Sequence, residues 1–294
     1  MASGERSARN YERDSLMSKG IALSKIGRST SRWKRRRWIG PRLHAVFTLP
    51  LVAGCTELPH GAKQELNKAG EDYRRQDYGG AQTKLDGIIS TYHAYSGVAE
   101  AHYLRALVYV KQSNKAGALA DAERCLALSQ DKALTSQAAA MAGTLAFEAG
   151  DEARALYHFA RALKGLPEKP PTDLVRYRYA VCLQHEGRWT EARREFGTVV
   201  QRYPQSTITE NARRMYEWKG DYFAIQCGAY QDQSSATKQM KKLRTAGLSP
   251  RIESQSRLGK TLYMVFVGQY PKYAAAQEAL RSIRAKVPNA VIAP

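Results

Sequence analysis

Two kinds of hydrophobic periodicity divide this chain into regions. Between Ala62 and Trp218, apolar residues recur every three or four positions, and no run alternates between apolar and polar residues as a strand does. Between Tyr222 and Ile292, short alternating runs are followed by apolar residues at helical spacing. The pattern therefore predicts an all-helical region over residues 62–218 and a mixed α+β domain over residues 221–294.

The mixed region consists of two similar halves that are offset by 40 residues. Gly228 corresponds to Gly268, and Tyr230 corresponds to Tyr270. The apolar helix positions correspond as well, with Ala236, Met240 and Leu243 in the first half and Ala276, Leu280 and Ile283 in the second. Each half predicts a strand, a helix and a strand. The domain is therefore expected to be βαββαβ, with a four-stranded antiparallel sheet, two helices on one face and the other face open.

Two motifs in this domain resemble those of the SPOR family. The first strand, Ile225–Tyr230, reads apolar-Gln-apolar-Gly-x-aromatic, and the third, Leu262–Tyr270, reads Leu-Tyr-x-apolar-x-apolar-Gly-x-aromatic. SPOR domains bind bacterial peptidoglycan and prefer glycan strands without stem peptides, so the resemblance implies the same ligand here. Gln226 matches the glutamine of the family's first strand, which implies a glycan-binding role. Tyr230 and Tyr270 have two interpretations, as part of that site or as packing between strand ends and helix starts.

Strand alternation assigns side chains to the open face of the sheet. These side chains are Ala224 and Gln226 in the first strand, Arg251 and Glu253 in the second, and Met264 and Phe266 in the third. Such a mixture suits a sugar, which needs an apolar surface for stacking and partners for its hydroxyl and acetamido groups. SPOR domains often have basic or polar residues in place of Met264 and Phe266. Contact between Phe266 and the preceding helices is therefore the alternative to stacking on a sugar.

The helical region contains repeats of about 35 to 45 residues. The third and fourth repeats have the clearest pattern of small, aromatic and proline positions: Gly143, Gly150, Ala155, Phe159, Ala162 and Pro167, then Ala180, Gly187, Trp189, Ala192, Phe196, Val199 and Pro204. This pattern resembles tetratricopeptide (TPR) repeats, in which small residues let the two helices of a repeat approach closely and a proline ends the second. About four stacked helix pairs and a capping helix over residues 207–218 are expected to share one core.

A stack of TPR repeats has a concave groove, so the resemblance implies an unidentified protein partner for the helical region. Four residues are expected to line this groove: Tyr103, Arg105, Arg176 and Arg178. The alternative is a spacer that holds the SPOR-like domain away from a membrane.

Residues 1–54 have the organisation of a secretory signal peptide with a long basic n-region. The apolar run Ala45–Gly54 is too short to span a bilayer as a helix. The n-region is long enough that translation from Met17 or a later residue is an alternative.

Residues 51–55, Leu-Val-Ala-Gly-Cys, resemble a bacterial lipobox. The resemblance implies that Cys55 carries acyl chains such as palmitate, which anchor the protein in a membrane, and that residues 55–61 form a short linker. Thr56 stands where many Gram-negative inner-membrane lipoproteins have Asp, which favours a periplasmic protein anchored in the outer membrane. The alternatives are an ordinary signal peptide and a buried strand with a chance cysteine.

The net charge of +19 is concentrated in two segments. Residues 1–54 hold 12 Lys and Arg against 3 Asp and Glu, and residues 221–294 hold 11 against 4. Because such an excess attracts polyanions, nucleic-acid binding by an RNA-recognition-motif-like sheet is the main alternative function. The third strand lacks that family's Lys/Arg-Gly-Phe/Tyr-Gly/Ala-Phe-Val run, and the lipobox places the domain outside the cytoplasm. No nucleic-acid partner is therefore expected.

The sequence contains no side-chain pattern typical of an enzyme or a metal site. The six histidines have no HExxH or other ligand spacing, no Gly-x-Ser-x-Gly occurs, and no CxxC pair is formed by Cys55, Cys125, Cys182 and Cys227. We therefore expect no metal, no cofactor and no catalytic activity, and a wall-cutting enzyme is disfavoured. The sequence predicts an envelope scaffold that binds peptidoglycan glycan strands and a protein partner, with a role in wall remodelling or division.

Overall fold

The computed structural model describes residues 57–257 and 260–294 of the chain. The expected signal peptide and Cys55 lie outside these residues. The helical part is formed by α1 (His60–Arg74), α2 (Tyr78–Thr91), α3 (Val98–Lys111), α4 (Lys115–Leu128), α5 (Lys132–Glu148), α6 (Glu152–Ala162), α7 (Thr172–His185), α8 (Trp189–Arg202) and α9 (Thr209–Glu217). It is followed by β1 (Phe223–Tyr230), α10 (Gln233–Thr245), β2 (Pro250–Arg257), β3 (Lys260–Tyr270), α11 (Tyr273–Arg284) and β4 (Val291–Ala293). The expected fold class, a TPR-like helical region followed by an α+β domain, is confirmed.

The chain divides between Asn114 and Lys115 into two compact units. In the first unit, α2 packs against both α1 and α3. Small side chains such as Ala69 and Ala81 are fully buried and allow the helices to approach each other closely. Asp77 precedes α2 and accepts a hydrogen bond from the Gly80 backbone N–H at 2.8 Å, which caps the helix.

In the second unit, helices α4 to α9 pack against their neighbours in sequence. The small residues of the repeats allow the close contacts. A Cβ atom on Gly143 would lie 2.6 Å from Cδ1 of Phe159, so only glycine leaves room for this buried ring. Asp131 and Asp151 cap α5 and α6 by accepting hydrogen bonds from backbone N–H groups. The spacing of small and aromatic residues thus produces the antiparallel helix pairs that the repeats predict.

The four strands form one antiparallel sheet in the order β2-β3-β1-β4. Helices α10 and α11 supply Leu243, Leu280 and Ile283 to a core on one face of this sheet. The inward side chains of β1 and β3 complete it, namely Phe223, Ile225, Cys227, Val265 and Val267. Up to Cys227 in β1 and Val267 in β3, these inward side chains alternate with side chains of the other face.

The last TPR helix pair shares this core with the sheet domain. Trp189, the first residue of α8, is 6% exposed, and its ring centroid lies 4.7 Å from that of Phe223 in β1. Its Nε1 donates a hydrogen bond to the Pro271 carbonyl oxygen at 3.0 Å. His185, at the end of α7, stacks on Tyr273 at a centroid distance of 3.9 Å. These contacts join the turn between α7 and α8 to the start of α11.

The end of the helical region differs from the sequence-based expectation. A capping helix over residues 207–218 was expected to include Trp218, but α9 ends at Glu217. Trp218 adopts an extended backbone conformation, and its ring contacts the sheet. Trp218 and Tyr222 pack on the small cluster of Ala224, Met264 and Phe266, so the segment between α9 and β1 lies on the sheet face that lacks helices.

Candidate ligand-binding face of the sheet

One row of side chains crosses the outer face of the sheet, the face opposite α10 and α11. The strand registers pair Arg251 with Phe266, Phe266 with Gln226, and Gln226 with Val291. The row therefore includes one residue from each strand. Sequence alternation places Gln226, Arg251 and Phe266 on this face, and the registers bring them next to each other.

Part of this face is covered by the segment between α9 and β1, residues 218–222, which we call the strap. Phe266 is only 1% exposed and Met264 only 5%. The Trp218 ring meets the Phe266 ring edge to face, with centroids 5.9 Å apart and planes at 81°. The expectation that Met264 and Phe266 lie open to a ligand is therefore wrong, because the strap packs over them.

Ala224 is another expected site residue that the structure buries. It belongs to the same small cluster as Met264, Phe266 and Ala293 and is 0% exposed. Its methyl group pairs across the ladder with Ala293 of β4. Ala224 therefore contributes to the packing under the strap and presents no surface to a ligand.

Arg251 lies at the edge of the strap and links it to the sheet. Its guanidinium group is 5.2 Å from the centroid of the Tyr222 ring and 5.4 Å from that of Phe266, which places it in cation–π range of both. Its Nη1 donates to the Gly268 carbonyl oxygen at 2.8 Å, and its Nε donates to Glu253 at 2.7 Å. Within the described residues, Nη2 is buried without a hydrogen-bond partner. Arg251 is thus fixed in place with one donor unused.

The outer face remains accessible beside β4 and near the end of β1. Gln226 is partly buried, Ala229 is exposed, and Val291 is 42% exposed. No described residue forms a side-chain hydrogen bond with Gln226, so its amide can both donate and accept. The accessible part of the face therefore combines one free amide with small apolar side chains.

A β-bulge explains why Ala229 lies on this face, which strand alternation alone did not reveal. The pairing between β1 and β3 shifts between Gln226 and Gly228, and Ala229 then pairs with the outward-facing Met264. Tyr230 consequently pairs with Tyr263 and packs against the helix-side core. The extra residue in β1 therefore reverses, at the end of the strand, which side chains face the helices and which face outward.

Tyr230 and Tyr270 both pack against the helix-side core, away from the outer face. In each copy of the Gly-x-Tyr motif, the tyrosine ring lies over the glycine. A Cβ atom on Gly228 would be 2.6 Å from Cε2 of Tyr230, and one on Gly268 would be 2.5 Å from Cε2 of Tyr270. Burial is the main cause that raises the pKa of both phenols. These contacts favour the packing interpretation and oppose a place for the two tyrosines in the glycan site.

Of the residues expected to line the TPR groove, two are buried. Tyr103, in the first unit, is 4% exposed, and Arg178, in the second, is 3% exposed with its guanidinium over the Phe147 ring. The expectation that they line an open groove is wrong, because both face neighbouring helices. Arg105 pairs with Asp86 at 2.6 Å, and Arg176 pairs with Glu195. These two arginines tie adjacent helices together within their own units.

The described part of the chain offers little for metal or nucleophilic chemistry. No three His, Cys, Asp or Glu side chains in it come together as metal ligands. Burial raises the pKa of Cys182 to about 12 and that of Cys227 to about 11, so both thiols are protonated at neutral pH. Within residues 57–257 and 260–294, no helix has both the length and the apolar character needed to cross a bilayer.

Two family models match the chain. Residues 219–294 match the SPOR domain, and residues 146–209 match a tetratricopeptide repeat model. A comparison with curated proteins gave no match.

The helical region is similar to several solved TPR structures. A crystal structure of YrrB, described as a TPR protein with an unusual peptide-binding site, is 21% identical over 53% of this chain and 74% of that protein, with a TM-score of 0.46. MamA from AMB-1 is 18% identical over 53% and 79%, with a TM-score of 0.44. Pseudomonas aeruginosa pilF is 15% identical over 52% and 65%, with a TM-score of 0.46.

Both family matches lie within the second unit and follow its secondary-structure elements. The SPOR match covers residues 219–222 of the strap, the sheet and helices α10 and α11, and the repeat match covers α6, α7 and α8. SPOR domains and TPR repeats are binding and scaffold modules. The chain therefore contains a SPOR domain over residues 219–294 and a tetratricopeptide repeat region over residues 146–209.

Proposed function

We propose that this chain is a non-enzymatic scaffold of the bacterial cell envelope that binds peptidoglycan through its SPOR domain. The observation that carries the proposal is the position of Gln226. It lies in the middle of a row that crosses the outer face of a sheet matched by the SPOR family. Gln226 is only partly buried, and its amide forms no hydrogen bond with a described residue. An amide in this position can bind a sugar hydroxyl or acetamido group through both its N–H and its carbonyl oxygen.

The preferred ligand is a glycan strand without stem peptides. The accessible surface around Gln226 is formed by the small apolar side chains of Ala229 and Val291, which a sugar ring can lie against. The SPOR match favours this ligand as well, because SPOR domains prefer glycan strands without stem peptides. The basic excess of residues 221–294 favours association with an anionic wall polymer.

The nucleic-acid alternative loses the aromatic side chain that strand alternation offered it. It requires an aromatic side chain on the outer face on which a base can stack. Phe266 is the aromatic residue that strand alternation assigns to that face, and it is 1% exposed beneath Trp218.

The helical region is proposed to bind a protein partner, and the whole chain to act in wall remodelling or division. Lipid attachment at Cys55 would hold the scaffold at a membrane, with the outer membrane favoured by Thr56. Together, these features suit a membrane-anchored protein that links its partner to the wall.

The test is co-sedimentation of the chain with purified sacculi, either untreated or stripped of stem peptides by an amidase. We expect the parent to bind stripped sacculi more strongly than untreated ones. The Gln226→Ala variant should bind stripped sacculi about five- to ten-fold more weakly than the parent, because one or two hydrogen bonds are lost. The matched control is Gln277→Ala, which removes an exposed amide from α11 on the helix side of the sheet. Equal binding to both kinds of sacculi, or an equal loss in both variants, would contradict the proposal.

A further inference from the structure

We propose that the strap, residues 218–222, is a displaceable cover that controls how much of the sheet face a glycan can reach, and that the TPR region sets its position through Arg193. The inference rests on the glycan-binding function proposed for this face. It assigns a regulatory role to a segment that joins the two domains.

The strap occupies the part of the face that is best suited to ring stacking. The Trp218 ring contacts Phe266, and the Arg251 guanidinium lies 5.2 Å from the centroid of the Tyr222 ring. Phe266 and Met264 would otherwise form an apolar platform beside Gln226. A sugar ring on this platform and the strap in its present position would exclude each other, because both need the same atoms.

The strap is short, and side-chain contacts of Trp218, Asp221 and Tyr222 hold it down. It has no regular secondary structure, and both Trp218 and Tyr222 remain partly exposed. The Trp218 Nε1 donates to the Tyr222 carbonyl oxygen at 3.0 Å, a bond within the strap that would move with it. A Cβ atom on Gly220 would lie 2.5 Å from the Tyr222 ring, so glycine allows the chain to fold back here. Opening the strap would expose Phe266 and Met264, so the closed form predominates and the open form is a minor state.

The polar tether of the strap comes from the TPR region. Arg193 of α8 donates to Asp221 Oδ1 at 2.8 Å and approaches the Trp218 carbonyl oxygen at 3.5 Å. Both side chains are partly exposed, at 33% for Arg193 and 63% for Asp221, so the ion pair is of modest strength. A pair of that strength shifts an open-to-closed equilibrium by up to about five-fold.

Such a shift is enough to tune binding. When only the open form binds fully, the apparent dissociation constant equals the intrinsic one divided by the open fraction. Any partner that engages Arg193 on α8 would therefore raise the affinity of the sheet face for glycan. Glycan binding would in turn release Arg193, since coupling between two sites is reciprocal.

The first experiment compares affinities for amidase-stripped sacculi among variants of the full chain. Arg193→Gln should bind about three- to five-fold more tightly than the parent, because its tether is lost. The control is Arg194→Gln, which removes the same charge from the neighbouring, 70% exposed position that contacts Glu195 on its own helix. Arg194→Gln should bind like the parent, and adding Gln226→Ala should weaken every variant.

The second experiment observes the strap without relying on a glycan. In the chain labelled with 5-fluorotryptophan, the ¹⁹F resonance of Trp218 is assigned by its loss in Trp218→Phe. Arg193→Gln should shift this resonance toward that of an exposed indole, and Arg194→Gln should leave it unchanged. In the parent, adding soluble stem-peptide-free glycan strands should cause the same shift.

The outcomes separate the strap from the binding function. If Gln226→Ala weakens binding but Arg193→Gln binds like Arg194→Gln, glycan binding stands and the strap is a permanent cover, which overturns the inference. If no variant binds sacculi, the proposed function fails. In that case an unmoved Trp218 resonance in Arg193→Gln overturns the displaceable strap, and a shifted one supports a strap that covers some other ligand.

Discussion

At the scale of single residues, the two copies of the Gly-x-Tyr motif reveal why glycine is required. In each copy the tyrosine ring folds over the glycine on the helix side of the sheet. Gly268 has the additional constraint of φ = 72°, a left-handed conformation that side chains with a Cβ atom rarely adopt. The motif is therefore needed for packing. Its resemblance to the SPOR motifs supports a shared fold as much as it supports a shared ligand.

We predict that Gly268→Ala lowers the free energy of unfolding by about 2–4 kcal/mol, because backbone strain adds to the clash with Tyr270. Gly247→Ala is the matched control. It has a similar φ of 77° but open space around the new methyl group, so it should cost only about 1–2 kcal/mol. Urea-unfolding midpoints measure both values. Removing the ring with Tyr270→Ala should bring the cost of Gly268→Ala close to that of Gly247→Ala, and equal costs in the presence of the ring would contradict this explanation.

A second residue, His158, makes the stability of the TPR helices depend on pH. It is 4% exposed, and its Nε2 lies 3.0 Å from Glu123 Oε1, while Arg154 pairs with the same carboxylate. Burial, the largest influence, lowers the pKa of His158 below 6.5 in spite of Glu123. The hydrogen bond from Arg154 is the largest influence on Glu123 and lowers the pKa of that carboxyl below 4.5.

The direction in which stability changes with pH follows from proton uptake by the folded and unfolded chains. Below about pH 6.5 the unfolded chain binds a proton at His158 more readily than the folded chain does, so stability falls as the pH falls. The loss of stability that comes from protonation of Glu123 begins only below about pH 4.5. We predict that the thermal midpoint of the parent decreases between pH 7 and pH 5 and that His158→Gln reduces this decrease. His93→Gln, at an exposed position, should leave the decrease as it is in the parent. An unchanged slope in His158→Gln would refute the assignment.

At the scale of secondary-structure elements, the sequence predicts the helices and strands better than it predicts what covers them. The 40-residue offset predicts the βαββαβ order, and strand alternation identifies Phe223, Ile225 and Val265 as core residues. Alternation fails after Gln226, because a bulge depends on the pairing partner and leaves no periodic signal. It also cannot reveal that Trp218 covers Phe266, since that contact joins residues 48 positions apart outside any repeat.

The docking of the turn between α7 and α8 on the sheet domain was likewise beyond the sequence. Trp189 occupies a position that the repeat pattern assigns to the start of a TPR helix, yet its ring lies in the core of the SPOR domain. A repeat pattern describes contacts between neighbouring repeats, and this contact joins a repeat to a different fold. Trp189 is therefore expected to stabilise the sheet domain.

We predict that Trp189→Ala destabilises the SPOR domain by about 3–5 kcal/mol, the usual cost of truncating a large buried ring. Trp189→Phe keeps ring contact with Phe223 but loses the hydrogen bond to Pro271, so it should cost about 1–2 kcal/mol. Hydrogen exchange of the β1 and β3 amides measures the effect within the sheet itself. Tyr157→Ala, which truncates a 63% exposed ring on α6, serves as the control and should leave that exchange unchanged. Protection of β1 that survives Trp189→Ala would contradict the shared core.

At the scale of the whole molecule, the SPOR domain and the last TPR pair form one body within the second unit. Trp189 and His185 meet the domain on its helix side, and Lys272 pairs with Glu186 at 3.2 Å. Arg193 meets the strap, which lies on the opposite face. Contacts on both faces of the sheet hold the domain more firmly than a flexible linker would, so a glycan bound to the sheet would have a fixed orientation relative to α7 and α8.

Two equivalent glycines allow this rigid attachment to be tested. Gly150 and Gly187 occupy the same turn in consecutive repeats, and both have φ = 79°. A Cβ atom on Gly187 would lie 3.0 Å from the Pro271 carbonyl oxygen, whereas one on Gly150 would meet nothing within 4 Å. Alanine at either position has the same cost of backbone strain, about 1–2 kcal/mol. Only alanine at position 187 also displaces the loop that receives the Trp189 hydrogen bond.

We therefore predict that residual dipolar couplings of residues 172–294 fit a single alignment tensor in the parent and in Gly150→Ala. In Gly187→Ala, the couplings of the sheet should need a second tensor or become smaller, because the SPOR domain moves relative to α7 and α8. If the couplings of each of the three proteins fit a single tensor, the loop that contains Pro271 moves without loosening the SPOR domain. A poor joint fit in the parent would contradict rigid attachment itself. In that case Arg193 could not hold the strap in a defined position, because the helix that carries it would move relative to the sheet.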